Sequence, residues 1–445
     1  MNPPTAAARN RTEKMDKQNI TTVIMAGGVG KRISSLFPDI PKPLIPIEGV
    51  PVLEREITLL RDQGFCDIIL TVSYMSDRLI SHFGDGSRLG VHIDYFVEET
   101  PLGNAGALYE IRDRLSDDFL LLNADTVFDV DFVRFTDHHR KKGGLATLFT
   151  HPNDHPYDSG LIVADDDLSV LAWYTAEDER PQYYKNRVNA GLHVLSERIL
   201  NNRPDTPKVD LDRQLLKPIA GTGQLFCYDS PEYVKDMGTP SRFEAVCSDF
   251  AAGKPAKRNL CRKQKAIFLD RDGTINRYAG FVRSPDELEL EDGAAEAVKL
   301  INSSDYLAIV VTNQPVIARG EVTYEGLSVI HGKMETLLGN FGAYIDGLYF
   351  CPHHPDSGFE GEIRELKKIC DCRKPKPGLL QRAAKDLNID LSSSWMIGDG
   401  DNDILAGKNA GTHTARILSE RTSDAGASAD ITGKSLLDCI RQIIQ

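Results

Sequence analysis

Short apolar runs recur along the chain, and each ends abruptly in polar or glycine-rich sequence. Thr22-Val23-Ile24-Met25, Ile68-Ile69-Leu70-Thr71-Val72 and Phe119-Leu120-Leu121-Leu122 are continuous runs of strand length. Strands covered on both faces read this way, because neither side of the pleat meets water. Between the first two, Val52 to Gln63 places apolar residues at helical spacing, and Gly64 follows as a stop. This order predicts βαβ units and a mostly parallel sheet. The alternation restarts at Ala266-Ile267-Phe268-Leu269 and continues through Leu307-Ala308-Ile309-Val310-Val311 and Trp395-Met396-Ile397. Between the two series, residues 251–264 (AAGKPAKRNLCRKQ) are basic and poor in large apolar side chains. The expected organisation is a disordered polar tail over 1–19, an α/β domain over 20–250, a linker over 251–264 and a second α/β domain over 265–445. Both domains are expected to be Rossmann-like.

Length supports this division, since 445 residues exceed what one core usually holds. A net charge of -13 argues against a general nucleic-acid binder. No apolar stretch reaches the roughly 20 residues that a membrane span needs. The N-terminal tail has no apolar core and does not read as a signal peptide. Eight cysteines, three of them between Cys351 and Cys372, do not form the even spacing of a secreted disulfide framework. A reducing cytoplasm is the expected compartment, and self-association into a homo-oligomer is left open.

The loop after the first run reads Ala26-Gly27-Gly28-Val29-Gly30-Lys31-Arg32. Glycines let backbone N–H groups approach phosphates, and Arg32 can neutralise charge. Alone, such a loop reads equally well as a tight turn. Lys42 stands between two prolines in a segment with little conformational freedom, which suits a lysine that meets phosphate in one geometry. Glu98-Glu99-Thr100-Pro101-Leu102-Gly103-Asn104-Ala105-Gly106 opens a helix with small residues. Asp125 follows a strand-like run, and Asp236 precedes a turn. Each aspartate taken singly also reads as a cap or turn residue.

As an ordered set, AGGVGKR, PKPL, EETPLGNAGAL, NADT, VNAGLHVL and DMGTP resemble the sugar-1-phosphate nucleotidyltransferase family over about residues 20–250. The resemblance implies that Gly27, Gly28, Gly30 and Arg32 hold a nucleoside triphosphate. It implies that Lys42 contacts phosphate near the reacting centre and that Gly103 lies against nucleoside or sugar. Asn189 and Gly191 would line the sugar site, and Asp125 and Asp236 would hold Mg²⁺. One departure is the lack of a Glu-Lys pair before the VNAG segment, where Arg180, Lys185 or Arg187 could substitute.

In the second half, Asp270-Arg271-Asp272-Gly273-Thr274 puts two carboxylates two residues apart just past a strand. One can attack phosphorus while the other moves the proton, with a divalent cation screening the repulsion. Thr312-Asn313, Arg373-Lys374 and Gly398-Asp399-Gly400-Asp401-Asn402-Asp403 follow at later strand ends or loops. In order, these match the four motifs of the haloacid-dehalogenase-like phosphatase superfamily. The resemblance makes Asp270 the nucleophile and Asp272 the general acid/base. Thr312, Asn313, Arg373 and Lys374 become substrate ligands. Mg²⁺ would be held by the Asp270 side chain, the Asp272 backbone carbonyl and Asp399, with Asp403 in support.

Cys351, His353, Cys370 and Cys372 give three thiolates and an imidazole in a hydrophilic loop, the donor set of a closed structural Zn²⁺ site. His354 is not expected to be a ligand. DRDGTIN, TNQ with IARG, CPHHP and CDCRKPKPG resemble the D-glycero-D-manno-heptose 1,7-bisphosphate 7-phosphatases over about residues 265–417, with Arg319 in the substrate loop. Gln314-Pro315-Val316 departs from the usual Gln-Ser-Gly. Histidinol-phosphate phosphatases share the zinc loop and remain an alternative, as does a hexose-1-phosphate acceptor for the first half. A first half that only senses sugar nucleotides is a further alternative, and pyrophosphate release would separate it from a transferase.

The fusion narrows the choice, because removing the 7-phosphate leaves a heptose 1-phosphate, a fitting acceptor for the first half. The expected function is synthesis of a nucleotide-activated heptose from sugar phosphates and a nucleoside triphosphate, GTP by resemblance to heptose-1-phosphate guanylyltransferases. Nucleic acid and membrane are not expected partners.

Overall fold

The structure is a computed structural model that describes residues 18–28, 32–175, 177–358, 360–418 and 426–444. Gly30 lies outside the described residues, as do residues 1–17 of the expected tail. The chain divides into two compact units. The first comprises residues up to Thr150, Ala164–Trp173 and Asn189–Asn259, and the second comprises His151–Val163, Tyr174–Val188 and Leu260–Gln445.

In the first unit, strand Thr22–Met25 pairs in parallel with Asp67–Val72 on one side and with Asp118–Asn123 on the other. His92–Val97 extends the sheet in parallel beyond Asp67–Val72. The strand running to Ser196 lies antiparallel to Asp118–Asn123, with further strands beyond it, so the sheet is mixed on this side. The predicted helix forms over Val52–Asp62 and buries Val52, Leu53, Ile57 and Leu60. Gly64 follows at φ +89°, a left-handed geometry that favours glycine and ends the helix. Residues 251–264 are not wholly irregular, because Lys254–Arg258 is helical and the boundary between the units falls at Asn259 and Leu260.

In the second unit the parallel order is Gly347–Cys351, Tyr306–Asn313, Lys265–Leu269, Trp395–Gly398, His413–Ile417 and Ile431–Gly433. Successive residues of its central strand supply two different cores. Ile267 and Leu269 join one apolar cluster, and Ala266 and Phe268 join the other. This is the physical basis of the unbroken apolar run: alternate side chains point to opposite faces, and both faces are covered.

Candidate active sites at two strand-end clefts

In each unit the first strand has a parallel neighbour on either side, so the loops after it diverge and leave a crevice at the carboxyl ends. In the first unit this crevice is a cavity of about 620 Å³. Its wall comes from the ends of three adjacent strands: Met25 to Gly28, Thr71 to Tyr74 without Val72, and Asn123 to Asp125. Arg32, Lys42, Gly103 and Gly238 complete much of the lining.

Lys42 follows Pro41 in a single tight turn and is 8% exposed. Its Nζ stands 3.2 Å from Asp125 and 3.7 Å from Asp236. One ammonium thus sits between two carboxylates from separate strand ends. A divalent cation fits the same donor pair, because the lysine already marks a point where positive charge is balanced by both. Asp236 also accepts hydrogen bonds from the Gly238 backbone N–H at 2.6 Å and from Arg242. Gly238 is so close that an added Cβ would lie 2.9 Å from the Asp236 carboxylate and 3.3 Å from Arg32. Gly103, at φ +83°, has no room for a Cβ against the Val209 carbonyl. Gly191, at φ +75°, would put a Cβ 2.6 Å from the Asn123 amide, and the Asn189 side chain accepts from the Gly191 N–H at 3.2 Å. Asn123 lines the cavity, whereas Asn189 and Gly191 are not among its lining residues.

The basic residues weighed for the missing Glu-Lys lysine differ in their commitments. Arg180 donates to the backbone carbonyls of Thr175, Pro156, Tyr157 and Ser159. Arg187 is buried, donates to the Asn186 carbonyl at 2.7 Å and pairs with buried Glu335 at 3.4 Å. Both are held by partners within the second unit, and Lys185 is exposed.

In the second unit, Asp270 leaves the central strand and Lys374 meets it from a distant loop. Lys374 is 2% exposed, and its Nζ contacts Asp270 at 2.7 Å, Asp403 at 2.6 Å and the Val311 carbonyl at 2.8 Å. Asp270, Asp399 and Asp403 each offer a carboxylate oxygen within 4.8 Å of the others. Burial and the neighbouring Asp403 push Asp270 above the usual carboxylate range, and Lys374 offsets part of this. Three carboxylates brought together in this way supply the oxygen donors that Mg²⁺ takes, so the residues fit that ion.

Asp272 is held apart from that trio. It accepts from Arg271 Nη2 at 2.8 Å, from Asn276 at 3.0 Å and from Gln314 at 2.9 Å. Gln314 also donates to the Thr312 hydroxyl at 2.9 Å. Arg271 is fully buried and Gln314 nearly so. Asn313 faces the Lys374 backbone, donating to its carbonyl and accepting from its N–H, both at 3.0 Å. It therefore fixes the lysine loop. Arg373 donates to the His353 carbonyl at 3.3 Å, and Arg319 pairs with Glu321 and stacks over Phe281.

Cys351, His353, Cys370 and Cys372 converge. The sulfur separations are 3.6 Å, 3.2 Å and 3.3 Å, and His353 Nδ1 lies 3.3 Å from Cys372. These are far beyond a disulfide bond of about 2.05 Å. They are close to the edge of a tetrahedron with Zn–S bonds of about 2.3 Å, so the donors fit Zn²⁺. Hydrogen bonding from Cys351 holds Cys372 down to about 5, which favours a thiolate there. His354 accepts from the Asp356 N–H at 3.1 Å and is not among the four.

Sequence reasoning gave no role to Arg242, Arg271, Gln314 or Glu56. The first three act on aspartates that it named, and no spacing signal marks them. Glu56 sits inside the apolar stripe of a helix.

Comparison with known proteins matches a family pattern to each half of the chain. The nucleotidyl transferase family pattern matches residues 21–251, and the HAD-hydrolase-like pattern matches residues 371–442. The D-glycero-β-D-manno-heptose-1,7-bisphosphate 7-phosphatase of Haemophilus ducreyi is 39% identical over 181 residues, 40% of this chain and 97% of that protein. The enzyme of the same name from Escherichia coli K12 is 38% identical over 182 residues, 40% of this chain and 93% of that protein. Among solved structures, HddC from Yersinia pseudotuberculosis is 27% identical, covering 52% of this chain and 99% of that chain, with a TM-score of 0.46. No helix among the described residues is long and apolar enough to cross a membrane. The chain belongs to the nucleotidyl transferase family through its first half and to the D-glycero-β-D-manno-heptose-1,7-bisphosphate 7-phosphatases through its second.

Proposed function

We propose that the chain makes a nucleotide-activated heptose in two steps. Residues 265–445 remove the 7-phosphate of D-glycero-D-manno-heptose 1,7-bisphosphate. Residues 20–250 then transfer a nucleotidyl group, GMP from GTP, to the heptose 1-phosphate, and residues 251–264 join the two. One observation carries the reading: a single polypeptide pairs a phosphatase of this kind with a transferase whose acceptor class is the phosphatase's product.

In the first step an Asp270 oxygen attacks the 7-phosphorus and the bond to the sugar oxygen breaks. Asp272 gives its proton to that oxygen. Water then loses a proton to Asp272 and attacks the phospho-aspartyl group, which frees Asp270 and inorganic phosphate. Arg271 and Gln314 keep Asp272 turned toward the leaving oxygen. Lys374 and Thr312 bind the transferring phosphate. Mg²⁺, held by Asp270, Asp399, Asp403 and the Asp272 carbonyl, supplies charge screening when bound. Zn²⁺ on Cys351, His353, Cys370 and Cys372 fixes the loop that delivers Arg373 and Lys374.

In the second step the sugar 1-phosphate oxygen attacks the α-phosphorus in line and pyrophosphate leaves. Positioning and cations do most of this work. Gly27, Gly28, Gly30 and Arg32 hold the triphosphate, Lys42 meets phosphate at the reacting centre, and Gly103, Asn189 and Gly191 bound the nucleoside and sugar. Asp125 and Asp236 hold the second Mg²⁺. Mass spectrometry of products from heptose 1,7-bisphosphate with GTP, ATP, CTP and UTP in competition tests the reading. One phosphate and one pyrophosphate per nucleotide-heptose is expected, with GTP preferred. Failure to form any nucleotide-heptose overturns it.

A further inference from the structure

The buried stripe of helix Val52–Asp62 contains one carboxylic acid. Glu56 is 2% exposed among Leu53, Ile57 and Leu60, and neither of its carboxylate oxygens has a hydrogen-bond partner. Leaving such a group unmet destabilises the fold, and more so if it is charged. A leucine at this position would pack as well at no such cost, so packing alone does not explain an acid here. The helix lies against the Lys42–Leu44 turn and against strand Thr126–Asp129, which begins one residue after Asp125. Glu56 therefore stands behind the two segments that carry Lys42 and Asp125, and the charges of those two residues are the ones that act on it.

Lys42 lies between Asp125 and Asp236, where its ammonium holds the place of a cation. The cation site proposed above, on which this inference rests, requires that ammonium to leave the pair. A buried ammonium cannot be left without an acceptor at low cost. We infer that Glu56 is a positioning residue for Lys42: it receives the ammonium when Asp125 and Asp236 turn to a divalent cation, and so keeps Lys42 in the cavity wall. Cation binding and the lysine's movement are then coupled, and Glu56 sets the size of that coupling.

The test is Mn²⁺ binding to the full chain without nucleotide, followed by electron paramagnetic resonance. The portion that D125N removes reports the Asp125–Asp236 pair. E56L is expected to weaken that portion about tenfold, within the usual range of coupling between sites. Its melting temperature is expected to stay level or rise, because an unmet acid is replaced by an apolar side chain of similar size. E56Q keeps an acceptor oxygen and is expected to fall between wild type and E56L, which preserves the test if E56L folds poorly. In a K42M background E56L is expected to change Mn²⁺ binding by less than about twofold, the mark of an effect that passes through the lysine. An equal effect in both backgrounds, or none in either, overturns the role of Glu56 and leaves the cation site standing. No D125N-sensitive binding in the wild type overturns both.

Discussion

Replacing Lys374 by methionine removes the only cation within ion-pair distance of both Asp270 and Asp403 among the described residues. The lysine is buried, and so is Asp403. Methionine fills the stem's space and leaves two acids facing each other without compensation. Breaking a buried pair from one side costs about 3–5 kcal/mol, because the remaining charge stays desolvated. Part of that returns if Asp270 takes up a proton, since burial and Asp403 already raise its affinity for one. The sign follows from linkage. A carboxyl whose folded pKa lies above its unfolded value of about 3.9 loses folded stability as pH rises between the two. K374M should therefore be hurt less at pH 5 than at pH 8. The assay is urea unfolding without added Mg²⁺, followed by the fluorescence of Trp395 in a W173F background. Trp395 begins a strand of the second unit, and Trp173 belongs to the first. We expect a loss of about 3–5 kcal/mol for K374M at pH 8. K374M/D270N should be less costly than the sum of its parts by about 1–3 kcal/mol, since one orphaned charge has gone. A K374M loss under about 1 kcal/mol, or strict additivity with D270N, would refute the reasoning.

D270N should abolish phosphate release from heptose 1,7-bisphosphate and leave nucleotidyl transfer to supplied heptose 1-phosphate intact; an equal fall in both activities would contradict two separate centres. Chelating zinc, or substituting Cys372 by serine, should lower the Trp395-reported unfolding midpoint, since metal binding free energy is folding free energy at such sites. Elemental analysis should find about one zinc per chain before treatment, and an unchanged midpoint after verified loss would count against a structural site. G103A should cost about 1–3 kcal/mol at a left-handed position with no room for a Cβ, and should reduce nucleotidyl transfer while phosphate release persists. Near-normal transfer by G103A would argue against a ligand role for that loop.

Much of the architecture was legible because buried parallel strands leave an unmistakable trace. Ala266 to Leu269 must be apolar at every position when alternate side chains enter two different cores. The thiol cluster was legible too, since Cys351 and His353 stand two residues apart in the sequence, as do Cys370 and Cys372. The supporting partners were not. Gln314 reaches Asp272 from 42 positions away, and the Lys374–Asp270 contact, across 104 positions, was expected only through the resemblance to the phosphatase superfamily. Nothing local to either residue marks the pairing. Asp403, placed by the sequence in a supporting role, shares Lys374 with Asp270 on equal terms of distance.

By itself the sequence determined that two mostly parallel sheets would form, and that glycine-rich and acidic loops would follow their strands. Those are consequences of burial periodicity and of short-range loop chemistry, which act over a few neighbouring residues. The tertiary structure alone decided which charge meets which. It put Lys42 between two aspartates, tied Arg180 to four backbone carbonyls and Arg187 to Glu335, and set Glu56 behind the segments that carry Lys42 and Asp125. Electrostatic partnership depends on distance in space and on exclusion of water, and folding brings both about between segments that share no local pattern.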